Sequence, residues 1–147
     1  DSVARQLEQA GLVVMRRTKH FTEGKPDVLL VDTTGELAGW YLCATVVFVG
    51  KSLCAQGGQN PAEPIAAGVP VIFGPHMQNF STLTRAFLQV DGAMEVKDAT
   101  GIRNAVTDLL ANPNRRAHMV TNAAKCLEIH RGATKKTTDL LQSRILL

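Results

Sequence analysis

Apolar residues recur along this chain with helical and strand-like spacing in turn, and that alternation predicts the fold class. Val3, Leu7 and Ala10 fall on one helical face, with Gly11 placed to stop the helix at its C-terminal end. Leu12 to Met15 reads as a buried strand, residues 16–26 as a polar loop and Val28 to Val31 as a second strand. Asp32-Thr33-Thr34-Gly35 interrupts the pattern, and Glu36 to Ala44 resumes it with helical spacing at Leu37, Tyr41 and Ala44. Val46 to Val49 is a continuous β-branched and aromatic run, as expected of a strand covered on both faces.

After a loop over Gly50 to Gln59, Asn60 is suited to an N-cap, Pro61 to the first helical position, and Ala62 to Ala67 to a short helix ended by Gly68. Val69 to Phe73 is the next strand, Gly74 to Asn79 a loop, and Ser81 is placed to cap a helix reaching Val90 with Leu83, Phe87 and Leu88 inward. Ala93 to Val96 forms a short last strand. Asp98 caps Ala99 to Ala111, whose Ile102, Ala105, Val106 and Leu109 form an apolar stripe. Asn112-Pro113-Asn114 opens another helix to about Arg131, and Gly132 separates a final one over Ala133 to Leu147. Strands alternating with helices predict an α/β fold, a doubly wound, mostly parallel Rossmann-like sheet whose ligand lies beyond the carboxyl ends of the strands.

Composition narrows the function classes. The chain has 147 residues, 45% hydrophobic and 20% charged, which is ordinary soluble composition and enough for one domain with a core. It lacks the run of about 20 apolar residues that spans a bilayer. Cys43, Cys54 and Cys126 are odd in number, widely spaced and set in apolar stretches, and His20, His76, His118 and His130 lack metal-ligand spacing, so neither disulfides nor a metal are expected. From Asn114 onward seven basic residues face two acidic ones, a solvated helix face or a contact with an anionic membrane surface. One Trp and one Tyr argue against a nucleic-acid stacking surface. The chain opens with Asp1 inside a helical pattern, which reads as a piece of something longer.

The chemistry-bearing residues collect at strand exits. Gly57-Gly58-Gln59-Asn60-Pro61-Ala62-Glu63 joins a glycine pair to a helix start, where free N–H groups attract an anion such as phosphate and Glu63 can accept from vicinal ribose hydroxyls. Asn60 and Glu63 also have the spacing of a capping box, which accounts for both without a ligand and leaves only the glycine pair unexplained. Thr34-Gly35-Glu36 repeats the arrangement at an earlier strand exit. His76, in Gly74-Pro75-His76-Met77-Gln78-Asn79, faces either a ligand or the backbone. Lys51 suits a phosphate or carboxylate, or solvent. No general base is selected by spacing, so the residues by themselves read as a nucleotide- or phosphate-binding half of an α/β protein.

The segment from about Asp27 to Phe80, and more loosely the C-terminal helices, resembles the 3-deoxy-D-manno-octulosonic acid (Kdo) transferase family. The match is carried by Asp32-Thr33-Thr34-Gly35-Glu36-Leu37, Phe48-Val49-Gly50 with Ser52-Leu53, Gly57-Gly58 with Asn60-Pro61, Glu63-Pro64, and Gly74-Pro75-His76 with Asn79-Phe80. The resemblance implies a GT-B architecture of two Rossmann-like domains, with residues 1–147 forming the C-terminal, nucleotide-sugar-binding one. It implies CMP-Kdo as donor, a lipid A precursor as acceptor reached through an N-terminal domain outside this chain, and inverting, metal-independent transfer at the cytoplasmic face of the bacterial inner membrane in lipopolysaccharide core synthesis. No cofactor is implied.

By the same resemblance, Thr34, Gly35, Glu36, Asn60, Pro61, Ala62 and Glu63 contact the nucleotide, with Lys51, Ser52, Gly57, Gly58 and His76 as further candidates. The family's catalytic glutamate belongs to the other domain, and a CMP-contacting Arg in an Arg-x-Pro type segment would precede Asp1. The chain alone is then expected to be soluble, to bind donor weakly and to transfer nothing. The sequence departs from the family at Lys51, where a second glycine is common, and at Gln59, where His is common. Another GT-B transferase or an epimerase using a uridine nucleotide, and a stand-alone α/β binding module, remain as alternatives.

Overall fold

A computed structural model describes residues 2–19, 25–130 and 139–142. The chain divides into two compact units, Asp1–Leu37 and Ala38–Leu147. In the first, helix α1 (Ser2–Gln9) is followed by strands β1 (Val14–Arg16) and β2 (Val28–Leu30), which pair in parallel with Val14 opposite Val28. Gly11 takes φ +83°, as its helix-stopping position requires. The inward face of α1 differs from expectation: Ala4 is buried and Val3 is 52% exposed.

Helix α2 (Leu37–Tyr41) leads into the second unit, which holds β3 (Val47–Phe48), α3 (Ala62–Ala66), β4 (Val71–Phe73), a 3₁₀ turn (Gln78–Phe80), α4 (Ser81–Gln89), β5 (Met94–Glu95), α5 (Ala99–Ala111) and α6 (Pro113–His130). The three strands form one parallel sheet in the order β3-β4-β5. Each strand is shorter than the apolar run that predicts it, although ladder bonds such as Val49 N to Ile72 O and Val96 N to Phe73 O continue just past the strand ends. Residues 139–142 are helical. The expected Gly132 break and most of the expected last helix lie outside the described residues.

The core follows from the two-residue period of β4, which is fully buried. Val71 and Phe73 face one apolar cluster with Ile65 of α3, Phe87 of α4, and Ala123 and Cys126 of α6. Ile72 faces a second with Ala105 and Leu109 of α5 and Met119 of α6. Helices therefore cover both faces of this sheet, the doubly wound arrangement.

Two helix ends show how the elements are fixed. Asp98 is extended and its side chain accepts from Gly101 N at 2.8 Å, an N-cap as expected. Ser81 is not a cap: the 3₁₀ turn runs directly into α4, Phe80 holds the cap position and makes no side-chain bond there. At the far end of α5, Arg116 donates to the carbonyls of Leu109 and Leu110, and Arg115 pairs with Asp108. Of the tail's basic residues, Arg116 therefore satisfies helix-terminal carbonyls and Arg115 an acidic side chain.

Candidate functional site

In the second unit the site is built from the exits of β3 and β4. Val47 N donates to Pro70 O at 2.9 Å and Val49 N to Ile72 O at 2.8 Å, which carries the ladder to the end of β3. The chain then turns at Gly50 and at Lys51, which holds a left-handed conformation with φ +68°. A glycine adopts that conformation without the Cβ penalty. Lys51 bears that penalty and places an exposed side chain at the exit.

Ser52 is fully buried, its hydroxyl donating to Val49 O at 2.6 Å and accepting from Gly74 N at 2.7 Å. Its carbonyl accepts from His76 N at 2.9 Å. Expected as a possible ligand contact, Ser52 has no exposed surface to offer one and acts in the wall of the site. Gly74 fits against it closely enough that a Cβ would lie 2.4 Å from Ser52 O. His76 is half-buried, its backbone N–H held by Ser52.

The glycine pair has a different reason from the one its sequence suggests. Gly57 and Gly58 take φ +103° and +61° and are buried. A Cβ on Gly58 would lie 2.3 Å from Met77 Sδ, and one on Gly57 2.9 Å from Asn79 Nδ2. Gly57 N donates to Gln78 Oε1 at 2.9 Å. The close approach is made to the 74–80 loop, and an N–H expected to meet an anion is already bonded to Gln78.

Asn60 Oδ1 accepts from Ala62 N at 3.0 Å, and Asn60 Nδ2 donates to Glu63 Oε1 at 3.0 Å. The expected capping box does not form: Pro61, not Asn60, holds the cap position without a side-chain cap bond, and Asn60 instead closes a local turn on Ala62 and meets Glu63 side chain to side chain. Helix α3 has five residues, so its dipole is small and attraction of an anion falls to individual N–H groups. Glu63 is exposed and its charge reaches Tyr41 of α2, whose phenol is pushed above its ordinary value by burial first and by Glu63 second.

In the first unit, Thr34 is exposed and Gly35 takes φ +88° in the turn before α2. Glu36 accepts from Arg17 Nε at 3.1 Å, and more weakly from Arg17 Nη2 at 3.5 Å. Asp32 accepts from Thr18 N at 3.1 Å and from Thr18 Oγ1 at 2.7 Å. The Thr18 hydroxyl holds the Asp32 carboxyl below its ordinary value, against the opposing effect of burial. Thr33 Oγ1 is buried and makes no hydrogen bond.

Arg17 and Gln78, which are not among the candidate residues, bond two of them, Glu36 and Gly57. Arg17 had a usable signal, a cation directly after a strand, but its pairing with Glu36 spans 19 positions of sequence. Gln78 had none, since its bond to Gly57 depends on the packing of two loops. Beyond them, a cavity of about 250 Å³ at the ends of β4 and β5 is lined by Pro75, Gln78, Ser81, Arg85 and Glu95, among others. No group of three or more metal-ligating side chains occurs among the described residues. Cys43 and Cys54 are exposed, contrary to the apolar setting expected of them, while Cys126 is buried and its thiol pushed up by that burial.

No family model matches the chain. It is 42% identical over 144 residues to the 3-deoxy-D-manno-octulosonic acid transferase of Bordetella pertussis, an alignment covering 97% of this chain and 34% of that protein. It is 35% identical over 130 residues to the enzyme of the same name from Haemophilus influenzae, covering 88% of this chain and 30% of the relative. The chain thus spans about a third of the length of these curated relatives. Among solved structures it resembles the C-terminal CMP-Kdo binding domain of WaaA from Acinetobacter baumannii, with a TM-score of 0.82 and 32% identity over 86% of this chain and 67% of that one. The α/β fold with parallel strands in two sheets matches a Rossmann-like C-terminal domain of the GT-B type. The chain belongs to the 3-deoxy-D-manno-octulosonic acid transferase family.

Proposed function

We propose that this chain is the CMP-Kdo-binding domain of a glycosyltransferase that moves Kdo from CMP-Kdo to a lipid A precursor in lipopolysaccharide core synthesis. The observation that carries the reading is the likeness, in both fold and sequence, to the CMP-Kdo binding domain of WaaA. On this reading Thr34, Gly35 and Glu36, and Asn60, Pro61, Ala62 and Glu63, are the nucleotide-contacting segments. Glu63 accepts from the ribose hydroxyls through the oxygen that Asn60 leaves open, because Asn60 Nδ2 occupies Oε1. Lys51 offers its ammonium to the donor phosphate or to the sugar-acid carboxylate, and His76 lines the same exit. Gly57 and Gly58 act by letting the two loops interlock.

The transfer itself is inverting and independent of metal and cofactor on this reading, and its catalytic base is supplied by a domain outside this chain. The chain alone then binds donor and transfers nothing. The intact protein works at the cytoplasmic face of the inner membrane, where its acceptor lies, and the excess of basic residues from Asn114 onward suits anionic headgroups. Calorimetric titration of the chain with CMP, UMP and UDP tests the reading. It predicts heat of binding with CMP and a weaker response to the uridine nucleotides; a preference for UDP overturns it.

A further inference from the structure

We propose that the Ser52 hydroxyl is a wedge in the β3–β4 ladder, a positioning residue that opens the crevice between the two strand exits and presents His76 and Lys51 to one ligand. The inference rests on the donor-binding reading and assigns that site its scaffold. In the parallel register Val47 lies opposite Val71 and Phe48 opposite Ile72. Val49 N reaches Ile72 O, so the next bond of a continuing ladder would run from Gly74 N to Val49 O. That bond is replaced by two. Gly74 N donates to Ser52 Oγ at 2.7 Å, and Ser52 Oγ donates to Val49 O at 2.6 Å. One hydroxyl is inserted where the strands would otherwise meet, and the strands part there.

The insertion is structurally exact in its demands. Ser52 has no exposed surface, so its oxygen is not competing with water. The left-handed backbone of Lys51 turns the chain back so that Ser52 reaches the ladder. Only glycine fits at position 74, because any Cβ would meet the Ser52 backbone. The Ser52 carbonyl then holds His76 N at 2.9 Å, and Gln78 holds Gly57 from the opposite loop. Side chains from each loop thus bond the backbone of the other, and the ligand-facing residues sit on a single laced unit.

The test compares Ser52→Ala with Leu109→Ala, a buried substitution in the cluster on the other face of the sheet, at a temperature where both are folded. CMP affinity by calorimetry is expected to fall about tenfold in Ser52→Ala, as when the unlaced exits hold the binding-competent arrangement only about a tenth of the time, and to stay within about twofold in Leu109→Ala. The His76 amide is expected to exchange with solvent faster in Ser52→Ala relative to the Val49 amide. If Ser52→Ala does not fold, Ser52→Cys, with a weaker donor and acceptor, carries the same comparison. Unchanged CMP affinity in the Ser52 variant, or an equal loss in Leu109→Ala, overturns the wedge. If the unaltered chain ignores CMP, the donor reading fails separately, and the wedge stands or falls on whether His76 exchange rises.

Discussion

Gly74→Ala puts the packing of the two strand exits to a quantitative test. The added Cβ would fall 2.4 Å from Ser52 O, 2.7 Å from Ser52 C and 2.8 Å from Leu53 Cα. All three are backbone atoms, so no side-chain rotation relieves the clash and one exit must move. Overpacking of this kind costs about 1–3 kcal/mol. The movement also breaks the Gly74 N to Ser52 Oγ bond inside a fully buried site, where an unsatisfied group costs about 1–3 kcal/mol more. Together these give a loss of roughly 2–6 kcal/mol, a large share of the ~5–15 kcal/mol that stabilises a typical domain. For a chain of this size the corresponding fall in Tm is roughly 10 °C. Thermal unfolding followed by circular dichroism measures it, with Gly39→Ala as control, since a Cβ there meets nothing within 4 Å. Gly39 lies within α2, so that control should be neutral or gain up to about 1 kcal/mol. A Gly74→Ala loss below about 1 kcal/mol would refute the account of the loop junction.

Asp98→Ala removes the cap that accepts from Gly101 N and should cost about 1 kcal/mol in denaturant unfolding, while Asp98→Asn should restore most of it. Lys51→Gly relieves the left-handed strain and should raise stability by about 0.5–1 kcal/mol, yet weaken CMP binding as Lys51→Ala does if the ammonium meets the ligand; unchanged affinity in both variants removes Lys51 from the site. The Tyr41 phenol has its pKa raised above 10.0 by burial and by Glu63, so its contribution to stability is complete below that value and is lost as pH climbs through the higher folded value. Denaturation midpoints measured on both sides of that range should fall less steeply in Tyr41→Phe; identical slopes would argue against the shift.

Much of the fold is legible in the sequence because β4 and its neighbours follow simple periods. Val71, Ile72 and Phe73 are apolar without interruption, and a strand covered on both faces requires that. The Asp98 cap and the stripe on α5 are local and equally readable. Element ends are less so: Ser81 resembles a cap, but the preceding loop winds into a 3₁₀ turn whose bond from Phe80 N to Met77 O depends on where the loop packs. The site divides the same way. Asn60 and Glu63 are three residues apart, and their link is visible from spacing. The partners of Gly57, Ser52 and Glu36 lie 21, 22 and 19 positions away, beyond the reach of any local pattern. The glycine pair is therefore legible as special, while the loop packing that requires it is not.

The most direct test of the central claim is to titrate the ¹⁵N-labelled chain with CMP and follow the backbone amides. The account predicts saturable shifts concentrated at residues 34–36, 51–63 and 74–80, with Ala62 and His76 among the largest. It also predicts that Glu63→Ala weakens the response without moving its location. Shifts confined to the cavity lined by Asp91, Arg115 and His118, or no shifts at millimolar CMP while UDP produces them, would contradict it.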